Sequence, residues 1–303
     1  MGKLFSLLLL VSSLCFAQKP SVHIIFLSDT QQPMWIETLR LKENNNEDAT
    51  RKIYSAILSD SSAVAVYHLG DVTSIGMFSS FWKDFDEFQK GLHIPLHPVL
   101  GNHDYYIFPG AALEQFYKRY PAFSLSWYST KFKHVGIISL NSNFSHLSEE
   151  ERIQQQAWYY RQLSEFDTDS TVNAVIVVCH HSPFTNSTIV SPDIDVQYDF
   201  VAPFLMYEKC KVFISGHAHA YEHFQKNGKD FFVIGGGGGL LHPLLTLNDE
   251  RFRDVYSQSI SPRFFHYVTC TVQHNSLQFV VKRLRNDHSG FDTADTVSVP
   301  VAR

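Results

Sequence analysis

The chain has 303 residues, of which 44% are hydrophobic, and a formal net charge of −5. That length suits one large α/β domain or two small ones. The charges form no long run of one sign, which argues against an electrostatic grip on nucleic acid. Beyond the N-terminus no apolar stretch is long enough to span a membrane. We therefore expect a folded domain with no nucleic-acid partner and no membrane span after its N-terminal segment.

The first residues are typical of a cleaved secretory signal. Lys3 precedes an apolar run from Leu4 to Phe16, and Ala17 occupies the place of a small residue before a signal-peptidase cut. The run is short for a bilayer crossing, although a retained membrane anchor is the alternative. The sequence predicts a signal peptide over residues 1–17 and a secreted or periplasmic mature chain over residues 18–303.

The predicted mature chain contains the cysteines Cys179, Cys210 and Cys270. Cys179 and Cys210 lie in or beside apolar strand-like runs, which favours buried thiols over a disulfide framework. An odd number of cysteines also leaves at least one of them unpaired.

Strand-like and helix-like segments alternate over most of the chain. The apolar runs that predict buried strands are Val22–Ser28, Ala63–Leu69, Leu96–Leu100, Ala174–Cys179 and Val212–Ser215. The segments that predict helices are Ala49–Ser59, Phe78–Lys90, Ala111–Arg119, Glu149–Phe166 and Phe200–Glu208. Ser148 and Glu151 form the signature of a capping box at the start of the longest helix.

Towards the C-terminus the pattern changes to strands joined by short turns. Two turn signals, Asn227-Gly228 and Asn275-Ser276, each lie between two strand-like runs. The runs are Tyr221–Gln225, Phe231–Ile234, His266–Val272 and Leu277–Val281. A single open, doubly wound sheet does not accommodate these hairpins well.

The five apolar runs share a feature that turn propensity alone does not explain. Each run is followed, within one or two residues, by Asp, Asn or His. In α/β sheets the binding and catalytic residues lie at the carboxyl ends of the strands. The terminal groups are Asp29, Gly70-Asp71, Gly101-Asn102-His103-Asp104, His180-His181 and Gly216-His217-Ala218-His219. Together they indicate a metal centre.

In this order, these residues resemble the motifs of the calcineurin-like metallophosphoesterase superfamily. Within it, His181-Ser182-Pro183 and the segment from Gly216 to Glu222 are most similar to the purple acid phosphatase branch. The resemblance covers roughly Val22–Gly239. It implies a single metallophosphoesterase domain over residues 18–303, with an α/β fold: a four-layer αββα sandwich of two mixed β-sheets flanked by helices. That fold accommodates the C-terminal hairpins.

The resemblance also implies a binuclear centre of two divalent metal ions, with Mn, Fe or Zn as candidates. Such a pair needs a carboxylate between the cations, because an anion with two oxygens can bridge them and offset their repulsion. Asp71 matches the bridging position, and Asp29 and His219 match ligands of the first metal. The residues that match ligands of the second metal are Asn102, His181 and His217.

Two pairs of histidines need separate treatment. His217 and His219 would point the same way along an extended strand, so reaching different metals requires a turned backbone, which Gly216 permits. Composition does not separate His180 from His181. The His-x-Pro pattern of the family favours His181 as the ligand and leaves His180 as a neighbour that supports the ligands or contacts the substrate.

His103 follows a predicted ligand but is not itself a ligand in the family pattern. The resemblance implies that His103 faces the scissile phosphate and protonates the leaving oxygen or stabilises the transferring group. Asp104 is expected to orient the imidazole of His103. A metal-bound hydroxide would be the nucleophile. The loop that begins at Tyr105 is expected to contact the substrate.

The chain departs from the family at two positions near the first metal. Many relatives have Asp-x-His where this chain has Asp29-Thr30-Gln31, and purple acid phosphatases have a tyrosinate where this chain has Ser74. The amide oxygen of Gln31 is a weaker ligand for transition metals than imidazole. These changes argue against a purple Fe(III) centre.

Two further segments have alternative interpretations. Gly235–Gly239 lacks the Lys and Ser/Thr of a nucleotide-binding loop, so we interpret it as a tight turn at the sheet edge, with phosphate contact as the alternative. Pro183–Asp199 is long and polar and is expected to form a rim or lid of the site.

The sequence predicts a secreted, metal-dependent phosphatase that acts on small phosphate monoesters. One alternative is a phosphodiesterase or nuclease on the same fold, although no basic groove is visible. Another is a secreted binding protein whose first metal site has decayed at Gln31. The presence of His103 and Asp104 argues against the binding protein, because such a protein does not need an acid that faces phosphate.

Overall fold

The computed structural model describes residues 22–34, 46–123, 126–256 and 260–301. The predicted signal peptide, residues 1–17, therefore lies outside the described residues. The described chain forms two six-stranded mixed sheets with helices on their outer faces. The predicted α/β sandwich is confirmed.

The first sheet has the strand order β12-β11-β10-β1-β2-β3. Its strands are β1 (His23–Leu27), β2 (Ala63–His68), β3 (Leu96–Pro98), β10 (His266–Val272), β11 (Ser276–Leu284) and β12 (Phe291–Pro300). β1, β2 and β3 are parallel. β10 pairs antiparallel with β1, and β11 and β12 extend the sheet as further antiparallel strands.

The second sheet has the strand order β4-β5-β6-β7-β9-β8. Its strands are β4 (Tyr128–Phe132), β5 (Val135–Ser139), β6 (Ala174–Val178), β7 (Cys210–Ser215), β8 (Tyr221–Lys226) and β9 (Lys229–Ile234). The four central strands are parallel, and antiparallel β4 and β8 form the edges.

The two sheets pack against each other through alternate side chains of their strands. Phe26 of β1 lies in one buried cluster with Ile176 of β6 and Phe279 of β11, and the rings of Phe279 and Phe232 lie 5.1 Å apart. The other face of β1, which includes Ile25, packs against helices. A strand buried on both faces is apolar throughout, as the sequence of β1 indicates.

Helices cover the outer faces of both sheets. They are α1 (Asn46–Leu58), α2 (Lys83–Gly91), α3 (Pro109–Arg119), α4 (Glu149–Thr168), α5 (Ile194–Val196) and α6 (Ala202–Met206). α1, α2 and α3 pack on the first sheet, whereas α4 and α6 pack on the second. The predicted capping box at Ser148 and Glu151 is confirmed, with both of its hydrogen bonds formed.

Some local predictions were wrong. The α-helix predicted over Phe78–Lys90 begins only at Lys83, after a 3₁₀ turn, and Phe78 is 45% exposed. The helix expected over Phe200–Glu208 spans only Ala202–Met206 and follows a π-helical turn. The hairpin β4–β5 and strand β12 were not predicted, because polar residues dominate β4 and β12.

Cys179 and Cys210 are free and buried, as predicted, and Cys270 is also free and buried. None of the helices in the described part of the chain combines the length and the apolar composition that a bilayer crossing requires.

The two sheets bring the polar strand ends together. β1, β2 and β3 run parallel in one sheet, and β6 and β7 run parallel in the other, so their carboxyl ends share an edge in each sheet. The residues that follow these strands include Asp29, Asp71, Asn102, His180 and His217. The packed sheets therefore converge on one candidate site.

Candidate metal centre

Two groups of side chains have the spacing of metal ligands. In the first group, Asp29, Asp71 and His219 each place a ligand atom within 4.8 Å of the others. In the second group, His180, His181 and His217 do the same. The groups adjoin each other, because Asp71 Oδ2 lies 3.3 Å from His180 Nε2.

Strained backbone turns direct several of these side chains. Asp29, Asp71 and His217 have φ angles of 59°, 52° and 65°, in the left-handed region that non-glycine residues seldom adopt. Such positions cost about 1–3 kcal/mol each and cluster at functional sites. The turn between the last two histidines thus lies at His217, not at Gly216. Gly216 is required for a close approach, because a Cβ there would lie 2.4 Å from Asp29 Oδ2.

Backbone carbonyls orient one imidazole in each group. Nδ1 of His219 lies 2.8 Å from the carbonyl oxygen of Leu240, and Nδ1 of His180 lies 2.8 Å from that of Leu69. Since a carbonyl only accepts, each Nδ1 carries a proton and directs Nε2 towards the site. Histidine ligands of metals are commonly held in this way.

The structure gives His180 a more central place than the sequence analysis did. Its ring is completely buried, and Nε2 lies 3.1 Å from Asn102 Oδ1 as well as 3.3 Å from Asp71. Nδ1 of His181 instead faces the hydroxyl of Ser142 at 2.9 Å. His180 therefore lies among the candidate ligands rather than on a surface that substrate could reach.

The charges of the second group are strongly coupled. Burial lowers the pKa of His181 to about 3, with repulsion from His180 adding to the effect, and the same causes lower the pKa of His217. Burial alone would lower the pKa of His180, but Asp71 raises it to about 9. Burial would raise the pKa of Asp71, but His180 and His103 hold it well below its usual range.

The donor set fits two divalent cations. The first group offers buried carboxylates and one imidazole, and the second offers three imidazoles beside an amide oxygen. Ligands of this kind must be deprotonated to bind a metal, and the pKa shifts of His181 and His217 favour that form.

Gln31 lies where the sequence analysis placed it, beside the first group. Its buried amide lies 3.1 Å from Nε2 of His219. With the amide nitrogen directed to the backbone carbonyls of Asp71 (3.0 Å) and Asp29 (3.3 Å), the amide oxygen faces His219. That orientation satisfies the amide donors and directs an oxygen towards the first group.

Asp104 has a different role from the one expected. Its carboxylate accepts hydrogen bonds from the backbone N–H groups of Asp71, Val72 and Gly101, at 2.8–3.2 Å. Burial and the charge of Asp71 raise its pKa to about 7. The imidazole of His103 is oriented instead by the backbone carbonyl of Ser74, 2.9 Å from Nδ1. Asp104 therefore ties the Asp71 and Gly101 turns together.

Tyr105 also differs from its expected role as a substrate contact. Its side chain is only 2% exposed, and its hydroxyl accepts a hydrogen bond from Asn141 Nδ2 at 2.8 Å. The chain enters a 3₁₀ turn at His103, which directs Tyr105 inwards and leaves Tyr106 beside His103, with ring centroids 5.6 Å apart.

The glycine-rich segment Gly235–Gly239 supports the first group. The N–H groups of Gly237 and Gly239 donate to the carbonyls of Ser28 and Asp29 at 3.0 and 2.9 Å. These two donors are therefore already used within the protein. The geometry favours the tight-turn interpretation over phosphate contact.

The rim segment Pro183–Asp199 is held by Glu222, which accepts hydrogen bonds from the Thr185 hydroxyl at 2.5 Å and the Asn186 N–H at 2.7 Å.

Sequence analysis missed His242, whose ring stacks on that of His219 at 4.3 Å. Its Nδ1 accepts from the His219 N–H at 3.2 Å. Its place shortly after the glycine run was the available signal.

A model of the calcineurin-like phosphoesterase family matches residues 22–221. The chain belongs to this family. Family membership and the two ligand groups support metal-dependent hydrolysis of phosphoesters. No curated protein matches the calcineurin-like chain in a sequence search.

Solved structures resemble this family member at low sequence identity. GAP50, described as the anchor in the inner membrane complex of Plasmodium, has a TM-score of 0.70 and 13% identity, covering 93% of this chain and 90% of GAP50. Purple acid phosphatase PPD1 of yellow lupin (Lupinus luteus) has a TM-score of 0.67 and 17% identity, and the match covers 93% of this chain and 54% of PPD1. A dimetal phosphatase from Danio rerio has a TM-score of 0.60 and 14% identity, and the match covers 93% of this chain and 100% of the phosphatase. At these identities the likeness shows the fold alone.

Proposed function

We propose that this calcineurin-like protein hydrolyses phosphate monoesters with two divalent metal ions. The observation that carries the proposal is the position of Asp71. Its carboxylate belongs to the first group and lies 3.3 Å from His180 Nε2 of the second. One buried anion thus reaches both groups, as a bridging ligand must.

The proposed ligands divide between the two groups. Asp29, Asp71, His219 and the amide oxygen of Gln31 would hold the first metal. Asp71, Asn102, His180 and His217 would hold the second, with His181 beside them. Cations bound there would polarise the phosphoryl oxygens and lower the pKa of a coordinated water. Mn, Fe and Zn suit a set of imidazoles and carboxylates.

His103 is the proposed acid for the leaving oxygen. Its Nδ1 proton is held by the Ser74 carbonyl, so Nε2 is the atom that exchanges a proton with the substrate. Nε2 lies 4.0 Å from Asp71 Oδ2, which keeps His103 next to the bridging carboxylate. Asp104 is a positioning residue, because it fixes the turns that carry Asp71 and His103.

Hydrolysis of a panel of nitrophenyl mono- and diesters, with and without added Mn²⁺, Zn²⁺ or Fe²⁺, tests the proposal. We expect monoester hydrolysis that a chelator abolishes and added metal restores. Faster hydrolysis of the diester would instead favour a phosphodiesterase. Failure to hydrolyse either ester at full metal loading would contradict the enzyme assignment.

A non-catalytic binding protein is the second candidate function. The observation that favours it is Gln31, which replaces a stronger ligand in the first group, and GAP50 has a similar fold and is described as an anchor. The absence of hydrolysis in the same panel, with metal bound, would support this candidate.

We also propose that the mature protein lies outside the cytoplasm, on the strength of the apolar run from Leu4 to Phe16. N-terminal sequencing of the protein from its native host tests this proposal. A start near Gln18 is expected, and an intact Met1 on soluble cytoplasmic protein would contradict it.

A further inference from the structure

The segment Tyr106–Phe108, next to His103, exposes three consecutive large side chains. Tyr106 is 44% exposed, Ile107 52% and Phe108 62%. Moving a large apolar side chain out of water lowers the free energy. Three adjacent exposed ones beside a candidate site indicate a surface that contacts a ligand.

The backbone of this segment is strained. Ile107 has a φ angle of 73°, and the N–H of Phe108 donates to the carbonyl of Tyr106 at 3.1 Å. These features define a three-residue turn of the rare, strained kind. A β-branched residue in the left-handed region is an outlier, and the turn holds the Ile107 side chain in solvent.

The base of the turn is fixed, so the strain cannot relax by movement of the flanking residues. Asp104 accepts three backbone hydrogen bonds. The Tyr105 ring stacks on His146 with centroids 4.5 Å apart, and its hydroxyl accepts from Asn141. Strain persists only where the surroundings impose it in this way.

Phe108 occupies a helix N-cap position that its residue type does not favour. This residue is the N-cap of α3, and its side chain makes no capping hydrogen bond. Ser, Thr, Asp and Asn stabilise a helix far better at that position. Two neighbouring residues that break local rules are typical of a functional segment.

We infer that Tyr106, Ile107 and Phe108 form a leaving-group subsite that binds the apolar, ring-bearing alcohol portion of a phosphate monoester. The inference rests on the proposed function, in which His103 serves the leaving oxygen. The Tyr106 ring lies 5.6 Å from the His103 ring, which places the first residue of the leaving-group subsite beside the proposed acid.

In the reaction the P–O ester bond breaks and its electron pair goes to the alcohol oxygen. Water adds its oxygen and one hydrogen to the phosphoryl group, and the other proton goes to the alcohol. The leaving-group subsite contacts only the departing alcohol, so it discriminates between esters without taking part in this exchange.

Binding of two phosphonates, which contain a C–P bond that this hydrolysis does not break, tests the leaving-group subsite. Calorimetry on the metal-loaded protein should show phenylphosphonate binding about tenfold tighter than methylphosphonate, as an apolar contact of this size gives. In Phe108→Ser the ratio should fall towards one, while the new hydroxyl at the N-cap keeps α3 stable. The matched control, Tyr160→Ser, removes an exposed tyrosine from α4 and should leave the ratio unchanged.

Ile107→Gly gives a second readout. Glycine accepts a positive φ without strain, so the variant should unfold at the same or a higher temperature while its phosphonate ratio falls. Equal binding of the two phosphonates by the wild type, or an unchanged ratio in both variants, would overturn the inference.

Failure of the proposed function would look different. A wild type that prefers phenylphosphonate but hydrolyses no monoester would refute the proposed hydrolysis, and Tyr106–Phe108 would then be an apolar binding surface without a leaving-group role. Hydrolysis of naphthyl and glycerol phosphates with equal kcat/KM, without a phosphonate preference, would refute only the leaving-group subsite.

Discussion

The two ligand groups of the site differ in chemistry although they share one buried carboxylate. The first group is anionic, with Asp29 and Asp71 completely or almost completely buried beside one imidazole. The second contains three crowded imidazoles, two of which have strongly lowered pKa values. Carboxylates accept many divalent cations, whereas imidazoles favour borderline metals. We therefore expect unequal metal affinities, with the second group retaining a metal more firmly than the first.

Removing the shared carboxylate should have the largest effect. In Asp71→Asn the neutral amide cannot replace the anion that both cations need, so we expect turnover to fall by about 10³-fold or more, equivalent to several kcal/mol. Steady-state kinetics and metal analysis measure the effect. Asp249→Asn, at an exposed position, is the control. Retention of both metals and most of the activity in Asp71→Asn would rule out a bridging role.

His103→Ala should lower turnover by about 10²–10⁴-fold, the range for loss of a positioned acid. Its metal content should stay near that of the wild type, because the His103 ring is held by the Ser74 carbonyl and belongs to neither group. Metal analysis beside turnover separates the two roles. Loss of metal in proportion to activity would make His103 a ligand.

The neighbouring histidines His180 and His181 sharpen the description of the second group. His180 contacts both Asp71 and Asn102. His180→Ala should therefore lower the affinity of the second group for its metal by more than about 100-fold. His181→Ala should cost about 10–100-fold, the range for residues that support ligands. Competition with a chelator measures both affinities. The reverse order would restore the assignment that the His-x-Pro pattern favours.

Gln31→His should produce the smallest effect and reduce the difference between the groups. Imidazole binds borderline metals better than an amide does, so we expect about a tenfold gain in first-group affinity. Zinc titration against a chelator measures it. If affinity does not rise, the amide or a nearby loop already provides the missing ligand.

The sequence predicted the parts of the site that depend on strand ends. Apolar runs such as Val212–Ser215 define where a buried strand stops, and the polar residue that follows must lie at the sheet edge. Gln31 was placed near the first metal by comparison with the Asp-x-His pattern of the family, and its amide lies beside His219 of the first group.

The predicted roles of Tyr105 and Asp104 were wrong because they depend on side-chain direction within irregular turns. The 3₁₀ turn at His103 rotates Tyr105 into the core and Asp104 towards three backbone N–H groups. Residue type and spacing do not specify that rotation. The choice between His180 and His181 has the same origin, because it depends on how the chain turns after β6.

Metal titration of the metal-free protein, followed by both bound metal and p-nitrophenyl phosphate hydrolysis, tests the central claim most directly. The two groups predict two metals per chain that bind in separate steps, with full activity only after the weaker site fills. Dialysis of the loaded protein should then remove one metal first, with loss of activity. Full activity at one metal per chain, or hydrolysis that continues in the metal-free protein, would contradict the binuclear account.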